Sequence, residues 1–201
     1  DQLSQHLAQD NSVDVIAPHT RGAAREESIG KVNVYRFRYS LEAWQTLAYD
    51  GGILPNLREK PLRWLLVPPF MLCQWLLAVR LLKRNRYEII HAHWIIPQGL
   101  VAILARIASG RKSGLVITSH GGDLFALKGK LLSRVKRWIT RRADVLTVVS
   151  AVMKHKAATM GLHEEAQIAN IPMGVDTRHT FLPPADTGES KGLLFVGGLV
   201  D

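Results

Sequence analysis

Short apolar runs alternate with amphipathic stretches along almost the whole chain. The runs are about four to six residues long and apolar on both faces, as is typical of strands buried in a parallel sheet. They predict strands at 13–17, 32–37, 88–93, 115–119, 144–149, 167–170 and 193–196. Helical spacing of apolar residues predicts helices at 63–84, 98–109, 130–142 and 150–160. This alternation predicts an α/β fold with a Rossmann-like, doubly wound and mostly parallel sheet.

Two irregular stretches and the two ends suggest the domain organisation. Residues 1–9 resemble the end of a helix whose preceding strand is missing, and 39–61 form a long loop with one helical turn. Residues 183–192 are rich in Pro, Gly and polar side chains, which is the composition of an interdomain linker. We therefore expect one domain over 1–182 and the truncated start of a second domain over 193–201.

Composition narrows the class of protein. Of the 201 residues, 47% are hydrophobic, which excludes a mainly disordered chain. Lys and Arg exceed Asp and Glu by 26 to 17, a net charge of +9 that favours an anionic partner. Nucleic acid, a phosphate-bearing ligand and an acidic membrane face all fit that charge. The single cysteine, Cys73, excludes an internal disulfide framework and indicates a reducing, cytosolic compartment.

The common phosphate-binding and nucleophile motifs are absent or misplaced. The chain has neither a G-x-G-x-x-G fingerprint nor a P-loop. Gly188 to Gly192 matches G-x-S-x-G, but this segment precedes a strand instead of joining a strand to a helix, so Ser190 is not predicted to be a nucleophile. No helix-turn-helix, zinc or RNP-like pattern accompanies the basic charge, so nucleic acid is not a predicted partner.

His91 and His93 are two residues apart on a predicted strand and so project from the same face. Such a pair occurs in metal sites, and a metal-dependent hydrolase that uses both histidines is one alternative. A zinc site needs a third ligand, which the sequence does not place. The other interpretation is that one histidine packs at the strand end and the other lines a cleft.

A second candidate cluster, Ser119-His120-Gly121-Gly122-Asp123, directly follows a predicted buried strand. The carboxyl ends of parallel strands are where open α/β sheets bind ligands. Two glycines in a row let backbone amides approach an anionic or polyhydroxyl ligand. The alternative is an ordinary tight turn in which Asp123 caps the next helix.

Two segments combine basic and apolar side chains. Lys130, Arg134, Arg137 and Arg141 form one stripe of a predicted helix. Residues 58–86 hold seven basic residues around a 16-residue apolar run that is shorter than a spanning helix needs. Either segment could lie on an anionic membrane, with the four residues of the stripe as the membrane-facing candidates. The alternative is a core helix with a solvated basic face.

Taken together, short motifs in order along the chain resemble the amino-terminal half of the family-4 retaining glycosyltransferases, which have the two-domain GT-B fold. The matching pieces are Ala17-Pro18-His19, Ile89-Ile90-His91-Ala92-His93-Trp94 with Pro97 and Gly99, Thr118 to Asp123, Thr147 to Ser150, Ile171 to Asp176 with Phe181, and Phe195-Val196-Gly197. Met173 and Gly198 depart from the family pattern, which often has Asn and Arg there.

The resemblance implies a cleft between two Rossmann-like domains, with this chain as the acceptor-side half. It implies His120 and Asp123 as catalytic candidates. Substrate-binding candidates are His93, Gly121, Gly122, Ser150, Gly174 and Asp176. Neither a metal nor a cofactor is implied, because the nucleotide sugar is a substrate.

The function that follows is transfer of a hexosyl group from a nucleotide-sugar donor to a lipid-linked or polysaccharide acceptor, with retention of configuration. The expected location is cytoplasmic, peripheral to the inner face of the membrane, with an anionic membrane surface as a candidate partner. This piece alone is expected to be inactive, because the donor-binding domain would follow Asp201. A metal-dependent hydrolase and a non-enzymatic anion-binding module remain alternatives.

Overall fold

The computed structural model describes residues 2–49, 52–174 and Leu182. Residues 1–171 form one compact unit, and 172–201 are grouped separately. The predicted linker at 183–192 and the predicted domain start at 193–201 lie outside the described residues.

The described residues form seven α-helices and seven strands, together with short 3-10 turns. The strands are β1 (Val13–Pro18), β2 (Glu26–Ile29), β3 (Val32–Phe37), β4 (Ile89–His93), β5 (Gly114–Ser119), β6 (Val145–Val148) and β7 (Ile168–Asn170). The α-helices are α1 (Gln2–Leu7), α2 (Ile53–Glu59), α3 (Val67–Arg84), α4 (Leu100–Ser109), α5 (Gly122–Phe125), α6 (Lys130–Thr140) and α7 (Ala151–Thr159). A 3-10 segment at Pro61–Leu66 leads into α3, and a distorted turn at Ile95–Gly99 leads into α4.

The strands form two sheets in the described part of the chain. The larger sheet has the order β4-β5-β6-β7 and is entirely parallel. The smaller has the order β1-β3-β2, with β1 parallel and β2 antiparallel to β3. The predicted α/β class and mostly parallel pairing are confirmed, but β2 was not predicted, because its residues are polar and mostly exposed.

The region predicted as a long loop contains more structure than expected. A short 3-10 turn at Glu42–Trp44 is followed by α2, which makes about two turns. Asn56 anchors α2, because its side-chain amide donates to the carbonyl oxygens of Leu47 and Tyr49. Pro55, which suggests a loop in the sequence, lies in the first turn of the helix, where proline is tolerated.

One face of the larger sheet carries the main core. Alternate residues of its strands, such as Leu115, Ile117 and Leu146, are fully buried in a single cluster. Residues of α4, α6 and α7 join the same cluster, so these three helices cover the same face of the sheet. Because strand side chains alternate, the opposite face displays His91, His93, Thr118 and Thr147.

Candidate active site at the carboxyl ends of β4, β5 and β6

The candidate residues gather at one edge of the larger sheet. Its strands are parallel, and in the register His93 pairs with Thr118 while Ser119 pairs with Val148. The residues that follow these strands therefore emerge side by side. This is the edge at which open α/β sheets bind ligands.

Three histidines form a row at that edge. The ring centroids of His91 and His93 are 4.4 Å apart, and those of His93 and His120 are 5.2 Å apart. His93 Nδ1 and His120 Nε2 are 3.0 Å apart and share one hydrogen bond. The predicted substrate-binding His93 and the predicted catalytic His120 are thus in direct contact.

The row continues into the polar face of the sheet through Thr118 and Thr147, which belong to the matching motifs but were not predicted as site residues. His91 Nε2 lies 2.7 Å from the hydroxyl oxygen of Thr118, and that oxygen lies 2.5 Å from the hydroxyl oxygen of Thr147. The two threonines occupy paired positions on β5 and β6. Spacing along the chain could not reveal this chain of contacts, because it depends on strand register.

The electrostatics of the row favour neutral imidazoles at His91 and His93. Shielding from water lowers the pKa of His91 to about 4, and the neighbouring charges of His93 and His120 act in the same direction. Shielding, with a smaller contribution from His120, also lowers the pKa of His93. Both rings are therefore mainly uncharged near pH 7. In a neutral ring one nitrogen donates and the other accepts, and the tautomer decides which is which.

The two glycines of the loop after β5 have different structural reasons. Gly121 has φ of +100°, a conformation that side chains rarely adopt. A Cβ on Gly122 would lie 3.3 Å from Cη2 of Trp94, so the indole of Trp94 packs directly against the backbone there. The two glycines thus allow a sharp turn immediately after His120.

Asp123 ties this loop to the loop after β4. Its side chain is fully buried. One carboxylate oxygen accepts a 2.6 Å hydrogen bond from the Ile95 N–H, and the other accepts a 2.8 Å bond from the Ser119 hydroxyl. The alternative, in which Asp123 caps the next helix, is wrong, because no side-chain hydrogen bond caps α5.

A buried ammonium lies behind the same loop. Lys136 of α6 has no exposed surface, and its Nζ donates to the carbonyl oxygens of Leu124 and Leu127. Burial lowers the pKa of Lys136, while the negative charge of Asp123 opposes that shift. The sequence carries a signal for this burial, because Leu132, Val135 and Ile139 place Lys136 on the apolar side of the helix.

Trp94 has a backbone conformation that the sequence does not indicate. Its φ is +82°, the only positive φ of a non-glycine residue in the described part of the chain. Its N–H donates to the Thr118 carbonyl at 2.7 Å, and its own carbonyl accepts from the Gly99 N–H. Such strain is commonly found where the surrounding structure fixes a functional loop.

The remaining predicted site residues are placed differently. Ser150 begins α7, and its hydroxyl accepts from the Met153 N–H at 3.3 Å, as a helix N-cap does. Gly174 is exposed and belongs to the separate unit, and Asp176 lies outside the described residues. The structure brings His93, His120, Gly121, Gly122 and Asp123 together.

The basic stripe predicted on α6 is exposed along its length. Lys130, Arg134 and Arg137 project into solvent, and Arg141 follows the last residue of α6. A shallow groove of about 440 Å³ runs beside it, lined by Leu100, Arg134, Val135 and Trp138. Within the described residues, no group of three or more His, Cys, Asp or Glu side chains is arranged to hold a metal ion.

Comparison with known sequences decides the family. The profile of Glycosyltransferase Family 4 matches residues 1–179, which is most of the chain. The chain belongs to this family. The resemblance expected from the motifs is confirmed.

One named protein is similar to this chain over a shorter stretch. N-acetyl-alpha-D-glucosaminyl L-malate synthase of Bacillus anthracis is 31% identical over 84 residues, which are 41% of this chain and 22% of the relative. The family-4 chain described here therefore matches about a fifth of that synthase.

Solved structures support the fold. Two structures of sucrose-phosphate synthase from Thermosynechococcus elongatus match with a TM-score of 0.56 at 18% identity, and each match covers 87% of this chain. The matches span 83% of one of those chains and 41% of the other. The predicted fold class, a Rossmann-like half of the GT-B architecture, is thereby confirmed.

Proposed function

We propose that this family-4 chain is the acceptor-side half of a retaining glycosyltransferase. The enzyme would move a hexosyl group from a nucleotide sugar to a lipid-linked or polysaccharide acceptor. The bond from the sugar's anomeric carbon to the diphosphate breaks, and a bond from that carbon to the acceptor oxygen forms on the same face. The acceptor's proton leaves with the nucleoside diphosphate. The observation that carries the proposal is the His93–His120 pair at the carboxyl end of the sheet, in a chain of this family.

His120 is the residue proposed to contact the transferred sugar. It directly follows β5, and its Nε2 is engaged with His93, which leaves Nδ1 to face a ligand. In such a site, rate enhancement comes from positioning and from stabilising the leaving diphosphate, with no protein nucleophile. His93 would then fix the orientation and the tautomer of the His120 ring.

The glycines and Asp123 have complementary roles in this proposal. Gly121 and Gly122 allow the backbone to approach a polyhydroxyl ligand. Asp123 is buried and hydrogen-bonded on both oxygens, so we assign it a positioning role that connects the loops after β4 and β5. Ser150, Gly174 and Asp176 are proposed to shape the cleft, as in the family resemblance.

The proposed location is the cytoplasmic face of a membrane, with the α6 stripe turned towards anionic headgroups. Its exposed guanidinium and ammonium groups support this, as does the adjacent apolar groove. No metal and no cofactor is assigned to the reaction, in which the nucleotide sugar is a substrate.

The test is release of nucleoside diphosphate by the protein at its natural length. It would be incubated with UDP-, GDP- and ADP-sugars, with and without a bacterial lipid extract. We expect release with one donor, increased by the acceptor-containing extract. His120→Ala should lower kcat by at least about a hundredfold, the order expected when a group that positions or stabilises the transition state is lost.

His155→Ala is the matched control, because His155 is exposed on α7 and lies outside the histidine row. It should retain the wild-type rate. Equal rates for wild type and His120→Ala would exclude the assigned role of His120. Absence of release with every donor would overturn the transferase.

A further inference from the structure

The segment around α3 exposes an apolar surface that nothing in the described residues covers. Five large apolar side chains are each more than half exposed there, although they belong to one continuous helical segment. We call them the α3 ridge: Leu62, Trp64, Leu65, Leu72 and Leu76. Soluble domains rarely leave such a continuous apolar surface without a partner.

The spacing of the ridge makes it one stripe. Leu65, Leu72 and Leu76 are separated by seven and four residues, so they lie on the same side of the helical segment. Leu62 lies one turn before Leu65 in the 3-10 segment, and the exposed Trp64 lies beside them. Tryptophan is favoured at the boundary between hydrocarbon and water, because its ring is apolar and its N–H is polar.

The other side of this segment is fixed to the domain. Phe70, Leu81 and Leu82 are buried, and Phe70 packs edge-on against Phe37 with ring centroids 5.0 Å apart. Arg111 holds the carboxyl end, donating to the carbonyl oxygens of Leu82 and Lys83 at 2.9 and 3.0 Å.

Pro61–Arg84 is, by length and composition only, apolar enough to cross a membrane, whereas its 16-residue apolar run alone was predicted to be too short. Only 17% of its most apolar window is buried in the domain. Because its inner face packs on the domain core, crossing a bilayer would require that core to open. The anchored geometry favours a helix that lies flat on a surface.

The charged side chains around the α3 ridge indicate which kind of partner it fits. Residues 58–86 contain seven basic side chains and one acid, Glu59, which already pairs with Arg63. Arg80 and Lys83 are exposed and follow Leu76 by about one and two turns, so the apolar stripe ends in a cationic one. A second copy of the same face would bring like charges together, whereas an anionic surface complements them.

We propose that the α3 ridge docks on a membrane that contains anionic phospholipids. The leucines and Trp64 enter the boundary between headgroups and acyl chains, and Arg80 and Lys83 contact lipid phosphates. This assigns a second membrane contact, separate from the α6 stripe. It rests on the membrane partner of the proposed function and specifies how that membrane is bound. It does not depend on the sugar-transfer chemistry.

The test is co-sedimentation of the natural-length protein with vesicles, in the absence of donor. One vesicle is pure phosphatidylcholine, and the other contains three parts phosphatidylcholine to one part phosphatidylglycerol. Wild type should partition at least about tenfold better onto the anionic vesicle, because each nearby cation contributes to attraction. Replacement of Leu72 and Leu76 by Gln should lower partitioning by roughly thirtyfold, through loss of buried apolar area.

Two further double variants separate the contributions. Arg80→Gln with Lys83→Gln should lower partitioning onto the anionic vesicle by roughly tenfold and leave the weak binding to phosphatidylcholine unchanged. Ile29→Gln with Val152→Gln is the matched control, since both side chains are exposed and apolar but lie on β2 and α7. This control should bind as wild type.

Every other result overturns the proposal. Equal binding by wild type and the leucine variant would show that the ridge is not the contact, and absence of binding to either vesicle would exclude docking. A leucine variant with a clearly lowered Tm would show that another part of the protein covers the ridge. Vesicle binding is measured without donor, so failure of sugar transfer and failure of docking are separate results.

Discussion

Two regions of this domain depart from the usual distribution of side chains in opposite ways. Beneath the loop after β5, the carboxylate of Asp123 and the ammonium of Lys136 are both fully buried. On α3, Leu72 and Leu76 are more than half exposed. The first region uses its buried charges to hold loops together, and every polar contact there is internal. The second leaves about half of each apolar side chain open to solvent.

The comparison shows that burial alone does not locate function in this fold. The Asp123 carboxylate, although it lies in the loop after the candidate catalytic His120, has both oxygens hydrogen-bonded within the protein. An exposed leucine stripe with a cationic end is better suited to a partner than to the core. The two regions therefore predict different consequences of substitution: loss of stability in one and loss of binding in the other.

The largest effect is expected at Asp123. Asp123→Ala leaves the Ile95 N–H and the Ser119 hydroxyl without acceptors, and removes the negative charge near Lys136. We expect the free energy of unfolding to fall by about 3–5 kcal/mol. Urea unfolding followed by circular dichroism measures it.

Asp144→Ala is the control for that measurement. Asp144 also accepts a hydrogen bond from a backbone N–H, that of Leu115, but its side chain is 63% exposed. Its removal should cost only about 1 kcal/mol. If the two variants lost equal stability, burial of the Asp123 carboxylate would not be what makes it important.

Much of this arrangement follows from the sequence. Strands β1 and β3 to β7 were predicted within one or two residues, because short apolar runs between turn residues favour strands. The edge that holds His120, Gly121 and Gly122 was also predicted, since it depends only on strand direction. The missed β2 and α2 lack such runs.

The contacts across the site could not be predicted in the same way. That the Ile95 N–H lies beside Asp123 depends on two loops meeting, and the positive φ of Trp94 has no sequence signal. The exposure of Leu72 and Leu76 was also hidden, because an apolar helical stripe normally indicates the core. Tertiary packing decides which stripe of a helix faces inwards.

An intermediate effect is expected from pH at the histidine row. The pKa of His91 is lowered from 6.5 to about 4 in the folded protein, so the unfolded chain binds a proton first as the pH falls. Stability from this group is therefore present above pH 6.5 and is lost as the pH falls towards 4. Because the side chain is partly exposed, we expect a loss of about 1 kcal/mol.

Thermal unfolding of wild type and His91→Gln between these pH values measures that loss. The variant should show a smaller fall in Tm on acidification, with the remainder arising partly from His93, whose pKa is also lowered. His155→Gln serves as the control and should follow wild type. Parallel curves for wild type and His91→Gln would contradict the shielding of His91.

The smallest effect on stability is expected on the α3 ridge, which makes it the sharpest contrast with Asp123. Leu76→Gln should change the free energy of unfolding by less than about 0.5 kcal/mol, because the side chain is already exposed. Leu82→Gln, six residues further along the same helix but buried, should cost at least about 3 kcal/mol. Urea unfolding of both variants provides the comparison. A cost for Leu76→Gln close to that of Leu82→Gln would mean that the ridge is already packed inside the protein, and it would remove the distinction between the two regions. A negligible cost would mean that folding stability does not account for the leucine at this position, which leaves its role to the vesicle-binding experiment.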